Sequence, residues 1–182
     1  MMQVRLLEKD STILRRGVNK MIKDKLIFRG GKVRATLRCA ITGEITFQSG
    51  WSHNIIPTAG LNAILRRFGG VGAVANEGES TYGAVGSGSD TPQASDTQMH
   101  NEEERKLIGG ASMDGNTLIV EVFFNENEAN GVEITQFALF GEDASAAADS
   151  GTLMQYANFE TSFTKTTIET LTVEVNVGNE DT

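Results

Sequence analysis

Residues 113–124 read MDGNTLIVEVFF. Asp114-Gly115 ahead of an apolar run is a strong hairpin signal, because a tight two-residue turn needs backbone angles that Gly and Asp tolerate. After the turn, Leu118, Val120, Val122 and Phe124 recur at every second position, the period of a strand with one buried face. The same period appears on both sides. Val33, Ala35, Leu37, Cys39 and Ile41 share one face, opposite Lys32, Arg34, Thr36 and Arg38. Near the end, Leu171, Val173, Val175 and Val177 alternate with Thr172, Glu174 and Asn176. Alternating strands joined by tight turns are the mark of antiparallel sheets with one solvated face.

Further strands are expected at Ile45–Phe47 (returning through Thr42-Gly43-Glu44), Thr81–Val85, Lys106–Ala111, Val132–Phe140, Thr152–Ala157 and Thr166–Val177. Phe137, Leu139, Val173 and Val175 are assigned to the core. Residues 51–54, Trp-Ser-His-Asn, are read as a turn whose tryptophan covers the core's edge. One helix follows: Thr58 is its expected cap, and Leu61, Ile64, Leu65 and Phe68 carry helical spacing. Arg66 and Arg67 suit its negative C-terminal end, and Gly69-Gly70 stops it. Gln98–Glu104 is read as a helical turn, and residues 71–80 and 142–151 as loops of small residues. The fold class is therefore mainly β: an antiparallel β-sandwich, jelly-roll-like, with one packed α-helix and an N-terminal extension. A barrel is the alternative.

Gly30-Gly31 divides the chain into a basic arm, 1–30, and a sandwich domain, 31–182. Residues 1–38 hold 11 Lys/Arg against three acids, a net of +8, while the remainder holds 5 against 21, a net of -16. The arm also carries apolar clusters, and Leu6, Leu7, Ile13, Leu14, Arg15, Arg16, Met21 and Ile22 are its candidate assembly contacts. An acidic partner or an acidic neighbouring copy fits this arm better than nucleic acid, because it has one aromatic, Phe28, and no Gly-Lys phosphate loop. No run approaches the ~18 apolar residues of a membrane span, and the charged start is not that of a signal peptide.

The lone Cys39 permits no intrachain disulfide and is expected as a buried small hydrophobe. His53 lies in a Ser-His sequence, but no G-x-S-x-G elbow accompanies it. Gly83–Gly88 lacks the Gly-Lys-Ser/Thr of a phosphate loop, so its glycines are read as serving backbone turning. Asp90, Asp96, Glu102, Glu103 and Glu104 lack calcium-loop spacing and read as a solvated acidic face. The expectation is a non-enzymatic protein with no catalytic residues, no metal and no cofactor. A carbohydrate partner stays open through Tyr82 and Tyr156.

Several segments, in order, resemble bacteriophage virion structural proteins. Asn54, Ile55, Gly60, Leu61, Ile64 and Leu65 stand where such proteins carry "N.i...Gl..il..l". The stretch YGAVGSGSDTPQASDTQMHNEEERKLI, residues 82–108, is similar to their "avGtG" strand followed by "taps..dt.L..E..R", with Met99 at the Leu position, then Glu102 and Arg105. Residues 134–141, ITQFALFG, resemble "itE.glfg", with Gln136 in place of the acid, and Gly151 to Val177 resembles the ending that contains Lys165. The resemblance implies a structural component of the phage particle, neck- or tail-associated. It would be assembled in the host cytoplasm and partnered by copies of itself and other virion proteins. A capsid decoration or cement protein, or a carbohydrate- or receptor-binding module at a fibre base, is the alternative. The arm lies outside the resemblance.

Overall fold

In the computed structural model of the chain the described residues are 30–72 and 78–178. The candidate assembly contacts Leu6, Leu7, Ile13, Leu14, Arg15, Arg16, Met21 and Ile22 lie outside them. Among the described residues, ten strands and one helix follow in the order β1 (Lys32–Cys39), β2 (Ile45–Gln48), β3 (Ser52–Ile55), α1 (Thr58–Gly69), β4 (Ser80–Gly86), β5 (Glu102–Leu107), β6 (Gly110–Asp114), β7 (Thr117–Phe124), β8 (Glu133–Gly141), β9 (Thr152–Thr164) and β10 (Glu169–Gly178).

Every pairing between these strands is antiparallel, and the neighbours run β5-β4-β8-β9-β3-β1-β10-β7-β6, with β2 also on β1. The order forms two sheets packed face to face, a sandwich. Two strands turn the corners. In β3, Ser52 and His53 pair with β1, while Asn54 and Ile55 pair with β9 of the other sheet. At the far edge the Ile108 N–H bonds to the Thr81 carbonyl of one sheet, and the next N–H, of Gly109, to the Glu121 carbonyl of the other. A corner strand leaves fewer unpaired backbone groups than an open edge, which a separate two-sheet sandwich would expose four times.

Between the sheets lie Val33, Ala35 and Leu37 of β1, Val122 and Phe124 of β7, and Leu171, Val173 and Val175 of β10. They meet Val85 of β4, Phe137 and Leu139 of β8, and Met154 and Ala157 of β9. The first sheet alternates cleanly because its outer face is solvated. The second does not. Ala84, Ala138, Phe140, Leu153 and Tyr156 form another cluster on its outer face, with Met99 from the segment that covers them. That double burial explains why the β8 sequence ITQFALFG reads as nearly continuous rather than alternating.

The assigned core residues Phe137, Leu139, Val173 and Val175 are all buried, and the β6–β7 hairpin turns at Gly115 as expected. Other expectations fail for identifiable reasons. Residues 51–54 are a corner strand rather than a turn, because the apolar-poor Ser-His-Asn conceals a two-sheet pairing. Helix α1 begins after Pro57, which occupies the cap position, so Thr58 caps nothing; its N–H bonds instead to the Ala94 carbonyl. The helix buries Gly60 and Ala63, and Phe68 points to solvent. A Cβ on Gly60 would lie 2.6 Å from the Met154 carbonyl oxygen, so the helix backbone rests directly on β9. Glu102–Leu107 is strand, not helical turn, and β9 continues to Thr164, seven residues past the expected Ala157. Cys39 is half-exposed at the end of β1, and Ile41 is fully outside in the turn.

Leu139 is 1% exposed between the two sheets. Leu139→Ala is therefore expected to lower the unfolding free energy by about 2–5 kcal/mol, measured by denaturant titration. A loss under about 1 kcal/mol would contradict its place in the core.

Candidate functional site

The polar residues quoted for the resemblance do not line a cleft. They are buried in two places, each holding a long loop against the second sheet. Arg105 on β5 is the first. Its Nε and Nη2 each donate 2.7 Å bonds to the two Glu102 carboxylate oxygens, and both side chains are almost wholly buried. Its Nη1 donates to the Ser150 carbonyl at 2.7 Å and the Ser150 hydroxyl at 3.0 Å, and the guanidinium lies 4.0 Å from the Phe140 ring centre. The Asp149 N–H reaches back to Glu102. One fork thus satisfies an acid on its own strand and the backbone of the 142–151 loop, which a lysine's point charge would not do.

Gln136 on β8 is the second. Its amide nitrogen donates to the Asp90 carbonyl and to Asn158 Oδ1, each at 2.9 Å. Its oxygen accepts the Tyr156 hydroxyl at 2.7 Å, and that hydroxyl accepts the His100 N–H at 2.9 Å. The 87–101 connector is thereby pinned at Asp90 and at His100. Burial raises the Tyr156 phenol above its ordinary value, so it stays the donor in this chain of bonds. An acid at position 136 would present lone pairs to the Asp90 carbonyl and to Asn158 Oδ1. Gln136, rather than an acid, is thus the residue that this connector requires.

The glycines of this region serve close approach rather than turning, and none of Gly83, Gly86 and Gly88 has positive φ. A Cβ on Gly83 would come within 2.4 Å of Val122, and one on Gly88 within 2.6 Å of the His100 carbonyl. The acidic residues are not one face. Glu102 is buried on Arg105, Glu103 takes the Ser87 hydroxyl, and Asp90 and Asp96 flank the His100 ring at 3.5 and 3.9 Å. Among the described residues, no three His, Cys, Asp or Glu side chains are grouped to hold a metal ion. Ser52 and His53 point to opposite faces of β3. Ser52 is buried and accepts the Glu160 N–H, while His53 is exposed, so the two do not form a nucleophile and base. Tyr156 lies buried in β9 and offers no stacking platform.

Lys165 is completely buried just past β9. Its ammonium donates to Asn130 Oδ1 at 2.7 Å and to the Thr166 carbonyl at 3.3 Å. Burial pushes it below its usual 10.5, while the charges of Glu169, Glu126 and Glu128 pull the other way. Around it, burial disfavours the charged Glu128, but bonds from Lys106 and the Asn125 N–H, with the charges of Lys106 and Lys165, hold it below 4.5. Glu169 is lowered too: burial opposes, and the Thr46 and Thr166 hydroxyls and the Thr166 N–H outweigh it.

Two grooves remain. One, about 450 Å³, crosses the solvated face of the first sheet between Arg34, Arg38, Glu121, Phe123 and Glu174. Beside it Trp51 lies under the Arg34 guanidinium, 4.3 Å from it. The other, about 530 Å³, opens at one end of the sandwich and is lined mainly by apolar side chains. The chain matches no family model, no curated protein and no solved structure.

Gln136→Glu is expected to cost about 1–3 kcal/mol of stability, since two acceptors lose their donor. Amide exchange within residues 90–100 should accelerate by more than that elsewhere in the fold. Glu128 and Glu169 have folded values below the unfolded 4.5. Their stabilisation is present above that pH and is lost as pH falls through the lower folded values. The double replacement Glu128→Gln/Glu169→Gln should therefore lower the melting temperature at pH 7 and flatten its decline below pH 4.5. An unchanged acid slope would contradict the assignment.

Proposed function

We propose that the protein is a non-enzymatic structural component of a bacteriophage particle, neck- or tail-associated. It acts by symmetric association with copies of itself and by docking to other virion proteins. The observation that carries this reading is the separation of charge. Beyond residue 38 the chain has five cations. Arg66 pairs with Glu142, Arg67 with Glu79, Arg105 with Glu102 and Lys106 with Glu128, and Lys165 is buried beside three acids. Every one of these five is engaged within the domain, in which acids outnumber cations. Residues 1–30 hold 8 Lys/Arg against 3 acids, and residues 31–182 hold 8 against 21. Attraction between the arm of one copy and the body of the next follows, together with burial of the arm's apolar clusters.

The order of the resembling segments supports the phage assignment. Their polar positions, Glu102, Arg105, Gln136 and Lys165, are occupied in fastening loops, which suits a rigid tile better than an enzyme. The first sheet's outer face, with Phe123 47% exposed among charges of both signs, is a second surface for a neighbouring subunit. A decoration or cement protein would use the same features on a capsid.

Removal of residues 1–22 is the direct test. The shortened chain is expected to melt cooperatively and to lose self-association in sedimentation, and association of the full chain should weaken with added salt. Association unaltered by the truncation would overturn the role of the arm. Density for the chain in an isolated particle would decide between neck, tail and capsid.

A further inference from the structure

Lys165 and Asn130 are set side by side by the backbone before their side chains meet. The two residues form an isolated parallel bridge, and the Gly131 N–H bonds to the Lys165 carbonyl at 3.0 Å. Asn130 stands between two residues of left-handed conformation, Ala129 with φ 53° and Gly131 with φ 76°. Glycine adopts it freely, whereas alanine does so at a cost and only where its surroundings over-determine the position. That bend presents the Asn130 amide to the lysine in one orientation. Its Oδ1 accepts the Lys165 Nζ at 2.7 Å, and its Nδ2 donates to the Glu126 carbonyl at 2.7 Å.

Lys165 is 0% exposed, and among the described residues its Nζ has two acceptors, Asn130 Oδ1 and the Thr166 carbonyl, and no ion pair. An ammonium has three N–H groups to satisfy, and a neutral amine has two. The site thus satisfies the amine fully and leaves its lone pair without a hydrogen bond. Burial loosens the lysine's hold on its proton, and Glu169, Glu126 and Glu128 oppose that by charge alone. A desolvated lysine in its neutral form is a nucleophile. In front of it is the Asn130 carboxamide, whose Cγ lies one C=O bond, about 1.2 Å, behind Oδ1. Groups held together in this way react as parts of one molecule rather than by chance encounter.

We infer that the folded chain joins Lys165 to Asn130 by an isopeptide bond that it forms itself. The Nζ lone pair attacks Asn130 Cγ, one proton passes from Nζ to Nδ2, and the Cγ–Nδ2 bond breaks with its electron pair leaving on ammonia. Amine and carboxamide become a secondary amide and ammonia, with no oxidant, metal or other reactant. No carboxylate touches the pair, so the proton moves without a base in contact and the reaction is expected to be slow. The rival nucleophile for the same carbon is the Gly131 nitrogen, which would give a succinimide. Its N–H is held on the Lys165 carbonyl instead. The new bond replaces a buried ammonium with a neutral amide, which is far easier to bury. It also ties together the open ends of the β8–β9 hairpin, whose turn is the 142–151 loop, so these central strands of the second sheet cannot be unzipped from that end.

The test is the intact mass of the full chain after prolonged incubation, folded, at alkaline pH. The chain is expected to be lighter than its sequence by one ammonia, and protease digestion should release a branched peptide that joins Asn130 and Lys165. A folded chain that keeps its full mass would overturn the inference. Loss of ammonia without the branched peptide would also overturn it, and would assign the loss to a succinimide at Asn130-Gly131. Lys165→Met and Asn130→Ala should each keep the full mass. Should either variant fail to fold, the unaltered chain incubated in denaturant is the control. No branched peptide is expected there, and its formation at the folded rate would contradict a reaction that depends on the fold. The rate should rise about tenfold per pH unit while Lys165 is mostly protonated. A rate that does not change with pH would overturn the amine as the attacking group.

Discussion

A sheet that is apolar on both faces must be covered on both, and here only one cover is another sheet. Ala84, Ala138, Phe140, Leu153 and Tyr156 on the outer face of the second sheet are roofed by the 87–101 connector and the 142–151 loop. Loops are poor roofs, because irregular backbone brings polar groups that water would otherwise satisfy. The molecule meets this with two side chains that each address several backbone atoms. Arg105 holds one loop from below, with Glu102 neutralising its charge. Gln136 holds the other by donating two bonds and accepting one. Removing a partner from such a buried pair typically costs about 3–5 kcal/mol, far more than a surface ion pair contributes. The roofs, the cluster beneath them and the placement of α1, whose first N–H bonds to Ala94 of the connector, all depend on these fastenings.

The same dependence explains what the sequence could and could not reveal. Strands β1, β7 and β10 were legible because one side is wet and the period of two survives. The register follows: Val33, Ala35 and Leu37 stand opposite Val175, Val173 and Leu171. Strands β3 and β5 were not, because each serves a corner or a buried ion pair, and Ser-His-Asn or Glu-Glu-Glu-Arg carries no apolar period. Phe68 misled the reading of α1. The helix seats its backbone through Gly60 and Ala63, so Phe68 is free to point outward. The positions that mark the candidate site were visible as a pattern, yet their role was hidden. Glu102 among three consecutive glutamates looks solvated. Only its three-residue spacing to Arg105 hinted at a pair; a regular strand would put the two on opposite faces, and the register shift of β5 against Val85 and Gly86 brings them together.

Lys165 shows the cost of this design most plainly. An ammonium without solvent, with an amide oxygen and a carbonyl as direct partners, is an unfavourable thing to bury. The three carboxylates near it reduce that penalty without contacting it closely. Two of them, Glu128 and Glu169, are also acids whose own charge it supports, so the group is stable as a unit rather than as a pair. Its bonds tie the end of β9 to the 125–131 loop at Asn130, where Gly131 in turn bonds to the Lys165 carbonyl. A hydrophobic residue of similar length would be easier to bury but would not fix which loop lies there. Specificity of arrangement, at some expense of stability, is what such a buried charge provides.

Rigidity of the roofs bears on assembly. A subunit that tiles must present the same surface each time, and a loop free to move loses part of any contact energy when it is ordered. Fastening the connector and the 142–151 loop from within removes that loss before any partner arrives. It uses one of the domain's cations, Arg105, and the domain's acids outnumber its Lys/Arg by 21 to 8. The arm's basic character then has a consequence beyond attraction. Identical acidic bodies repel one another, and the repulsion is relieved only where an arm is interposed. Under the proposed arm-to-body contact, arm and body together would make association favourable, and the contact each copy makes would be heterologous. It can close into a ring or extend as a stack, according to the rotation between neighbours.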